Sequence, residues 1–209
     1  MDLLLATSNE GKREEFQKLL KNLPESTITC LPEDYNSPEE NGSTLLENAL
    51  IKAKAAHLAF PSKWILADDT GLFVPYLNGA PGIHTARYSG NKNPEANRKK
   101  LMQKLEGAKG PNRIAYFHCS LLLLSPKNDA FAFHGVSWGH ITPELKTKPN
   151  KLCYDCLFIP QGYEKSFAEL SLEKKAQISH RSQACALLSN FLKQSPLPQL
   201  NTYREQCTT

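Results

Sequence analysis

No apolar run in this 209-residue chain approaches the roughly 18–20 residues needed to cross a bilayer. The opening "DLLLA" is too short for a secretory leader and has no basic stretch ahead of it. The expected address is therefore cytoplasmic, with no membrane partner. Zinc-ligand spacing is also missing. Of six cysteines only Cys153 and Cys156 form a C-x-x-C pair, and no second Cys or His pair stands where a structural zinc site would need one. Reduced thiols and an incidental C-x-x-C are the expectation. There is no internal repeat and no low-complexity block. Charge is not segregated either: the net charge is +4, but Lys and Arg alternate with Asp and Glu. That speaks against a nucleic-acid partner and suits a small polyanion better. Arg98-Lys99-Lys100 reads as a solvated helix face.

What is present is a chain 40% apolar and 22% charged, able to bury a real core. Residues 2–6 read as a buried strand. A helix follows in which Phe16, Leu19, Leu20 and Leu23 recur at helical spacing. Residues 26–31 read as a second strand and 32–42 as a polar loop. Thr44 and Glu47 make a capping box opening a helix to Phe60. "WILA" is a strand ending at Asp68 and Asp69, and "YLNGAPGIHTARYSG" a long loop of the kind that usually carries function. A helix is expected over 94–106 and strands at 113–124 and 130–141 joined through "SPKND", after which a polar loop leads to "CLFIP". Ser179 can cap a last helix whose core face is Ala184, Leu187, Leu188 and Phe191. The fold class is α/β: one domain over 1–193 built on a mixed twisted sheet flanked by helices, parallel at the front and antiparallel in the middle. Residues 194–209 form a tail of little order.

Three polar clusters each suit an anion. "TSNEGK" (Thr7, Ser8, Asn9, Glu10, Gly11, Lys12) lies between a strand and a helix, where free backbone N–H groups bind phosphate and Lys12 adds a charge. It is not a Walker A motif, and an ordinary N-cap at Ser8 or Asn9 would look the same. Asp68 and Asp69, at the carboxyl end of a strand, could hold Mg²⁺ or share acid and base roles; one could equally cap the next turn. Glu39 and Glu40 could supply a further metal ligand. Lys175, His180 and Arg181 in "EKKAQISHR" put cations at a helix start, which the helix dipole disfavours unless an anion sits among them. Together the three imply a phosphorylated ligand with a divalent metal.

Read in order, "LLLATSNEGKREEF", "NGSTLLENALIKAKAA", "ILADDTGLFVPYLNGAPGIHTARYSG", "YFHCSLLL", "HGVSWGHI" and "AELSLEKKAQISHR" resemble the inosine triphosphate pyrophosphatase (Ham1-like) family, in its bacterial dITP/XTP pyrophosphatase branch. The resemblance covers most of the chain from residue 3 to about 190. It implies an elongated α/β fold with an active-site cleft between two lobes, usually as a homodimer. It also implies Mg²⁺-dependent hydrolysis of a non-standard purine nucleoside triphosphate (dITP, ITP, XTP) to monophosphate and pyrophosphate. Carried over by motif, Thr7 to Lys12 hold the triphosphate, Asp69 is the catalytic carboxylate and a metal ligand, and Thr70 touches substrate. Glu39, three residues before Gly42, is the second metal contact. Lys52 reaches the phosphates, and Lys175, His180 and Arg181 grip phosphates and base. The family's "F-G-Y-D-P" is here Leu152, Cys153, Tyr154, Asp155 and Cys156, within "NKLCYDC". Leu152 then contacts the purine without π-stacking, and Cys153 brings a Cβ where the family has glycine. Two rival readings are a septum-inhibitor-type pyrophosphatase acting on modified pyrimidine nucleotides, which "ISHR" opposes, and a nucleotide-binding protein without turnover, which Asp69 opposes.

Overall fold

In the computed structural model, residues 1–21, 23, 26–145 and 152–194 are described. The segment 195–209, expected as the disordered tail, and Asn150 and Lys151 of "NKLCYDC" lie outside them. The first strand explains the layering. In β1 (Asp2–Leu5) the three leucines are all buried, as continuous apolar strands are when both sheet faces are covered. Alternate side chains leave a strand on opposite faces. Leu3 and Leu5 accordingly pack with Phe16, Leu20 and Leu188, and Leu4 packs with Ala49, Ala53 and Ala56. The first group belongs to α1 (Glu10–Leu19) and α5 (His180–Gln194), the second to α2 (Leu45–Ala59).

β1 pairs in parallel with β2 (Thr27–Cys30) on one side and β3 (Trp64–Phe73) on the other. Beyond β3 the sheet is antiparallel, through β5 (Ile114–Leu124), β6 (Ala130–Ile141) and β7 (Phe158–Pro160), in the order β2-β1-β3-β5-β6-β7. The short β4 (Pro81–Gly82) pairs β3 off this path. The mixed sheet expected from the pattern is therefore present. The β5–β6 hairpin turns through Ser125, whose hydroxyl accepts from Lys127 and Asp129 N–H, with Asn128 in the left-handed region.

Three sequence readings need correction. "WILA" does not end at the carboxylates: β3 continues through Asp68 and Asp69 to Phe73, paired with β5 along its length. The capping box is shifted. Thr44 Oγ1 accepts from Glu47 N–H, but the Glu47 carboxylate takes the Ser43 N–H and hydroxyl, both at 2.7 Å. "EKKAQIS" is a separate short helix, α4 (Leu172–Ile178), before α5. Ser179 does cap α5, accepting from Ser182 N–H, yet Leu187 is 50% exposed and Cys185 takes its place in the core.

A second apolar cluster fills the other end of the long strands. There Leu72, Phe117, Ile141 and Phe158 pack with Tyr154 and with Leu101 of α3 (Pro94–Lys104). β5 spans both clusters, with Phe117 in this one and Cys119, Leu121 and Leu123 in that under α1 and α5. The α5 start is seated against β6 at Gly135, where a Cβ would stand 2.0 Å from the His180 carbonyl oxygen and 2.8 Å from Ala184 N. Both neighbours are backbone and cannot swing aside. Gly135→Ala should therefore destabilise the fold by about 1–3 kcal/mol and lower activity by displacing His180 and Arg181. Thermal denaturation and turnover checked together test this; an unshifted Tm would refute it.

Candidate functional site

β1 leaves the sheet after Leu5, and Ala6 N–H to Leu66 O, at 2.7 Å, is the last link to β3. β3 runs on past this point, so Asp68 and Asp69 stand in mid-strand but just beyond the parallel pairing. Being adjacent in a strand, they point to opposite faces. Asp68 meets the α1 and α5 side: Lys12 Nζ lies 2.7 Å from its Oδ2, Thr70 Oγ1 donates to the same oxygen at 3.0 Å, and Arg181 Nε is 3.9 Å away. Asp69 meets α2: Asn48 Nδ2 donates to Oδ2 at 3.1 Å and Lys52 Nζ lies 3.6 Å from Oδ1, which also accepts from Thr70 N–H.

The two carboxyl groups differ electrically as well. Burial alone would push Asp68 up, but Lys12, Lys52 and Arg181 outweigh it and hold it down at about 2. Asp69 is raised above 3.8, by burial first, with Glu40 and Asp68 adding to it against the pull of Lys52 and Lys12. One acid is thus a permanently charged anchor, and the other is the more basic and the one that borders the pocket.

That pocket, of about 300 Å³, is lined by Thr7, Ser8, Asn9 and Lys12, by Glu40, Lys52, Asp69 and Thr70, and at its far end by Leu152 to Asp155, His180 and Arg181. Glu39 is exposed and does not line it. Glu40 does, with its carboxylate 3.0 Å from Lys52 Nζ and its backbone carbonyl accepting from Arg87 at 2.8 Å. Of the expected phosphate loop, Thr7, Ser8, Asn9 and Lys12 line this pocket, while Glu10 is exposed and Gly11 is buried beside a neighbouring groove. The helix cap there is Asn9, whose side chain accepts from Lys12 N–H.

Lys175 does not line the pocket. It is buried, 2.5 Å from Asp155 Oδ2 and 3.5 Å from Glu15 Oε1, while Arg181 pairs with the other Glu15 oxygen. Lys175 thus braces the pocket wall from behind. His180 is fully buried and stacked on Phe117 at 4.7 Å, and neither of its ring nitrogens has a hydrogen-bond partner. Burial first, then Arg181 and Lys175, press its pKa well below 6.5, so the ring is neutral. Tyr154 is buried and donates to Thr85 O. Cys153 does not carry positive φ, so its Cβ creates no backbone strain. Its carbonyl accepts from Arg98, and burial pushes its thiol up to about 11. A thiol that stays protonated fits the reading of an incidental C-x-x-C.

Sequence reasoning passed over Asn48, which donates to Asp69 and accepts from Gly42 N–H at 2.8 Å. It thereby fixes the catalytic candidate to the loop carrying Glu40. The available signal was its place four residues before Lys52 on one helix face. Glu15, three residues after Lys12, was missed in the same way.

A family model described as the Ham1 family matches residues 3–191. The chain is similar to the dITP/XTP pyrophosphatase of Treponema denticola, 41% identical over 202 residues, covering 93% of this chain and 100% of that protein. It is also similar to the dITP/XTP pyrophosphatase of Bacillus licheniformis, at 39% over 196 residues, covering 93% and 99%. Among solved structures, the Ham1 protein of Staphylococcus aureus aligns with a TM-score of 0.78 at 37% identity, over 92% of this chain and 98% of that one. The HAM1 protein of Coxiella burnetii aligns at 0.79 and 35%, over 93% and 99%.

The Asp68 anchor yields a pH prediction. A carboxyl group held at about 2 instead of 3.8 stabilises the fold above pH 3.8, and that stabilisation is lost as pH falls through 2. Asp68→Asn leaves the partly buried Lys12 without its counter-charge and should cost about 3 kcal/mol near neutrality, the low end for a buried pair because Lys12 borders the open pocket. By urea denaturation, the gap between wild type and variant should close as pH drops below 3.8. A constant gap would refute it.

Proposed function

The chain belongs to the Ham1 family, and from that premise we propose that it hydrolyses deaminated purine nucleoside triphosphates (dITP, ITP, XTP) to monophosphate and pyrophosphate. The observation that carries the reading is the back-to-back pair: Asp68 gathers Lys12 and Arg181 on one face of β3, while Asp69, with its raised pKa, faces the pocket on the other.

In this reading the triphosphate lies along Thr7, Ser8 and Asn9 at the start of α1, with Lys12 and Lys52 as cations. Asp69 takes the proton of a water whose oxygen bonds to the α-phosphorus, and the α–β bridging bond breaks with its electron pair leaving on pyrophosphate. Asn48 and Lys52 hold the Asp69 carboxylate so that one geometry prevails. Glu40 and Asp69 converge on the Lys52 ammonium, a place already shaped for positive charge. Two carboxylates with substrate phosphates are the donor set that suits Mg²⁺; when bound, it would neutralise charge developing on the phosphoryl oxygens. The base occupies the end formed by Leu152, Cys153, Tyr154 and Asp155. Glu15 holds Arg181 at Nη1, but its Nε and both ring nitrogens of His180 have no hydrogen-bond partner, so in this reading an N–H of Arg181 or His180 is the donor that reads the C6 oxygen. An amino group at C6, as in adenine, would leave that donor unpaired, at about 1–3 kcal/mol.

The test is product analysis with Mg²⁺ and, separately, dITP, XTP, dGTP, dATP and a modified pyrimidine triphosphate. Pyrophosphate should form fastest from dITP or XTP, and Asp69→Asn should abolish turnover with the circular dichroism unchanged. Orthophosphate as the main product, or equal rates with dATP, would overturn the reading.

No described helix is long and apolar enough to cross a membrane, and we take the site of action to be the cytoplasm. We also take the working unit to be a homodimer of the domain spanning 1–193. On the sheet face beyond α2, Tyr116 packs between Phe73 and Trp138, at 5.1 and 4.5 Å, and Trp138 and Ile114 remain 47% and 42% exposed. A second copy covering this patch would bury aromatic surface of the sort interfaces favour. Trp138→Glu should convert a dimer to a monomer in light scattering; a monomeric wild type, or a dimeric variant, would exclude this surface.

A further inference from the structure

Outside the pocket, one cluster of ligating side chains has no part in the reaction. His118 of β5 and His134 of β6 sit diagonally across the hairpin, since Ser120 faces His134 and His118 faces Val136 in register. Their nearest nitrogens, His118 Nε2 and His134 Nδ1, are 3.3 Å apart, and Ser120 Oγ is 3.2 Å from the same His134 nitrogen. The ring centroids are 5.4 Å apart. His134 is exposed and His118 is half-buried, so the pair is open to solvent.

We propose that His118 and His134 form a binding site for one Zn²⁺ ion per chain on this face of the β5–β6 hairpin. Zinc bonds imidazole nitrogen at about 2.0–2.1 Å in tetrahedral geometry, which sets its two nitrogens about 3.3–3.4 Å apart. The pair already has that spacing, and turning the rings out of their mutual hydrogen bond would aim both lone pairs at one ion. The facing nitrogens bind as lone-pair donors when the ring hydrogens sit on the other nitrogens, His118 Nδ1 and His134 Nε2. No group of three His, Cys, Asp or Glu suited to a metal occurs among the described residues, so water completes the sphere and the ion remains exchangeable. The donors also separate this site from the carboxylates of the pocket. Imidazole suits zinc, copper and nickel, whereas Mg²⁺ takes oxygen.

The experiment is calorimetric titration of the full chain with ZnCl₂ at neutral pH, with excess Mg²⁺ to occupy oxygen sites and a phosphine reductant. One zinc per chain is expected. Loss of a second-shell partner of a metal costs about 10–100-fold in affinity; His118→Ala or His134→Ala removes one of two ligands and should cost at least that much. Both variants should keep wild-type pyrophosphate release, which verifies folding. Co²⁺ in place of zinc should give visible d–d bands that vanish in either variant. Cys153→Ser should bind zinc as wild type does. No binding by wild type, equal binding in both histidine variants, or loss in Cys153→Ser would each overturn the site. None of these outcomes bears on the pyrophosphatase reading, which rests on other residues.

Discussion

The contact on which the rest of the site depends is the one between the Asp68 carboxylate and the Lys12 ammonium. Asp68 has no exposed surface, so its charge survives because cations surround it: Lys12 from α1 and Arg181 from α5 reach toward its carboxylate, and Lys52 of α2 adds to the field. An unpaired anion there would cost several kcal/mol. The pairing therefore fixes where both helices start relative to β3. Those starts carry the rest: Thr7 to Asn9 precede α1, and His180 opens α5. Arg181 passes the constraint on through Glu15 to Lys175 and Asp155, which holds the wall at the base end. A chain of alternating charges thus joins the phosphate end of the pocket to the base end behind the surface that a substrate would touch.

This arrangement also separates two jobs that adjacent acids could not share if they pointed the same way. Like charges side by side oppose each other's ionisation. Strand alternation sends Asp68 into the cation cluster and Asp69 toward α2, so one carboxyl group is held down while its neighbour is raised. Mid-strand placement, which the sequence pattern did not reveal, is what makes this division possible. A pair in a loop would have no enforced alternation.

Much of the fold was legible because its signals are local. The leucines of β1, the Thr44 cap, the β5–β6 hairpin and the Ser179 cap all appear near their expected positions. The misreadings are cases where tertiary contacts override a local cue. Two aspartates look like a strand end, yet β5 pairs with them and the helices neutralise them. Leu187 is expected on the core face, but the buried stripe of α5 runs through Arg181, Ala184, Cys185 and Leu188 and leaves it exposed. Among site residues the types were legible and the partners were not. Lys175 was read correctly as a cation wanting an anion, but the anions it meets are Asp155 and Glu15 of its own chain. Glu39 and Glu40 cannot be told apart by composition. The turn that brings the Glu40 carboxylate to Lys52, with Arg87 holding its carbonyl, is a tertiary feature that composition does not carry.

The base end is where this chain departs from its family's pattern, and the structure shows how the departure is accommodated. Cys153 is held by its carbonyl on Arg98 and its thiol near Pro94 O, both supplied by α3. Tyr154 is anchored to the loop at Thr85, whose hydroxyl in turn accepts from Leu72 N–H on β3. The backbone that would need a glycine if it turned through positive φ does not do so here. On the function proposed above, the contacts implied for glycine and phenylalanine would fall here to Leu152, an apolar side chain in the pocket wall, and to the His180 ring, stacked on Phe117 with its nitrogens unpaired. A stacking residue tolerates any purine, since every base has a π-face. An unpaired buried N–H does not, because it loses most when the wrong edge faces it. On the function proposed above, replacing the first kind of contact while keeping the second would shift recognition from general affinity for bases toward discrimination at C6.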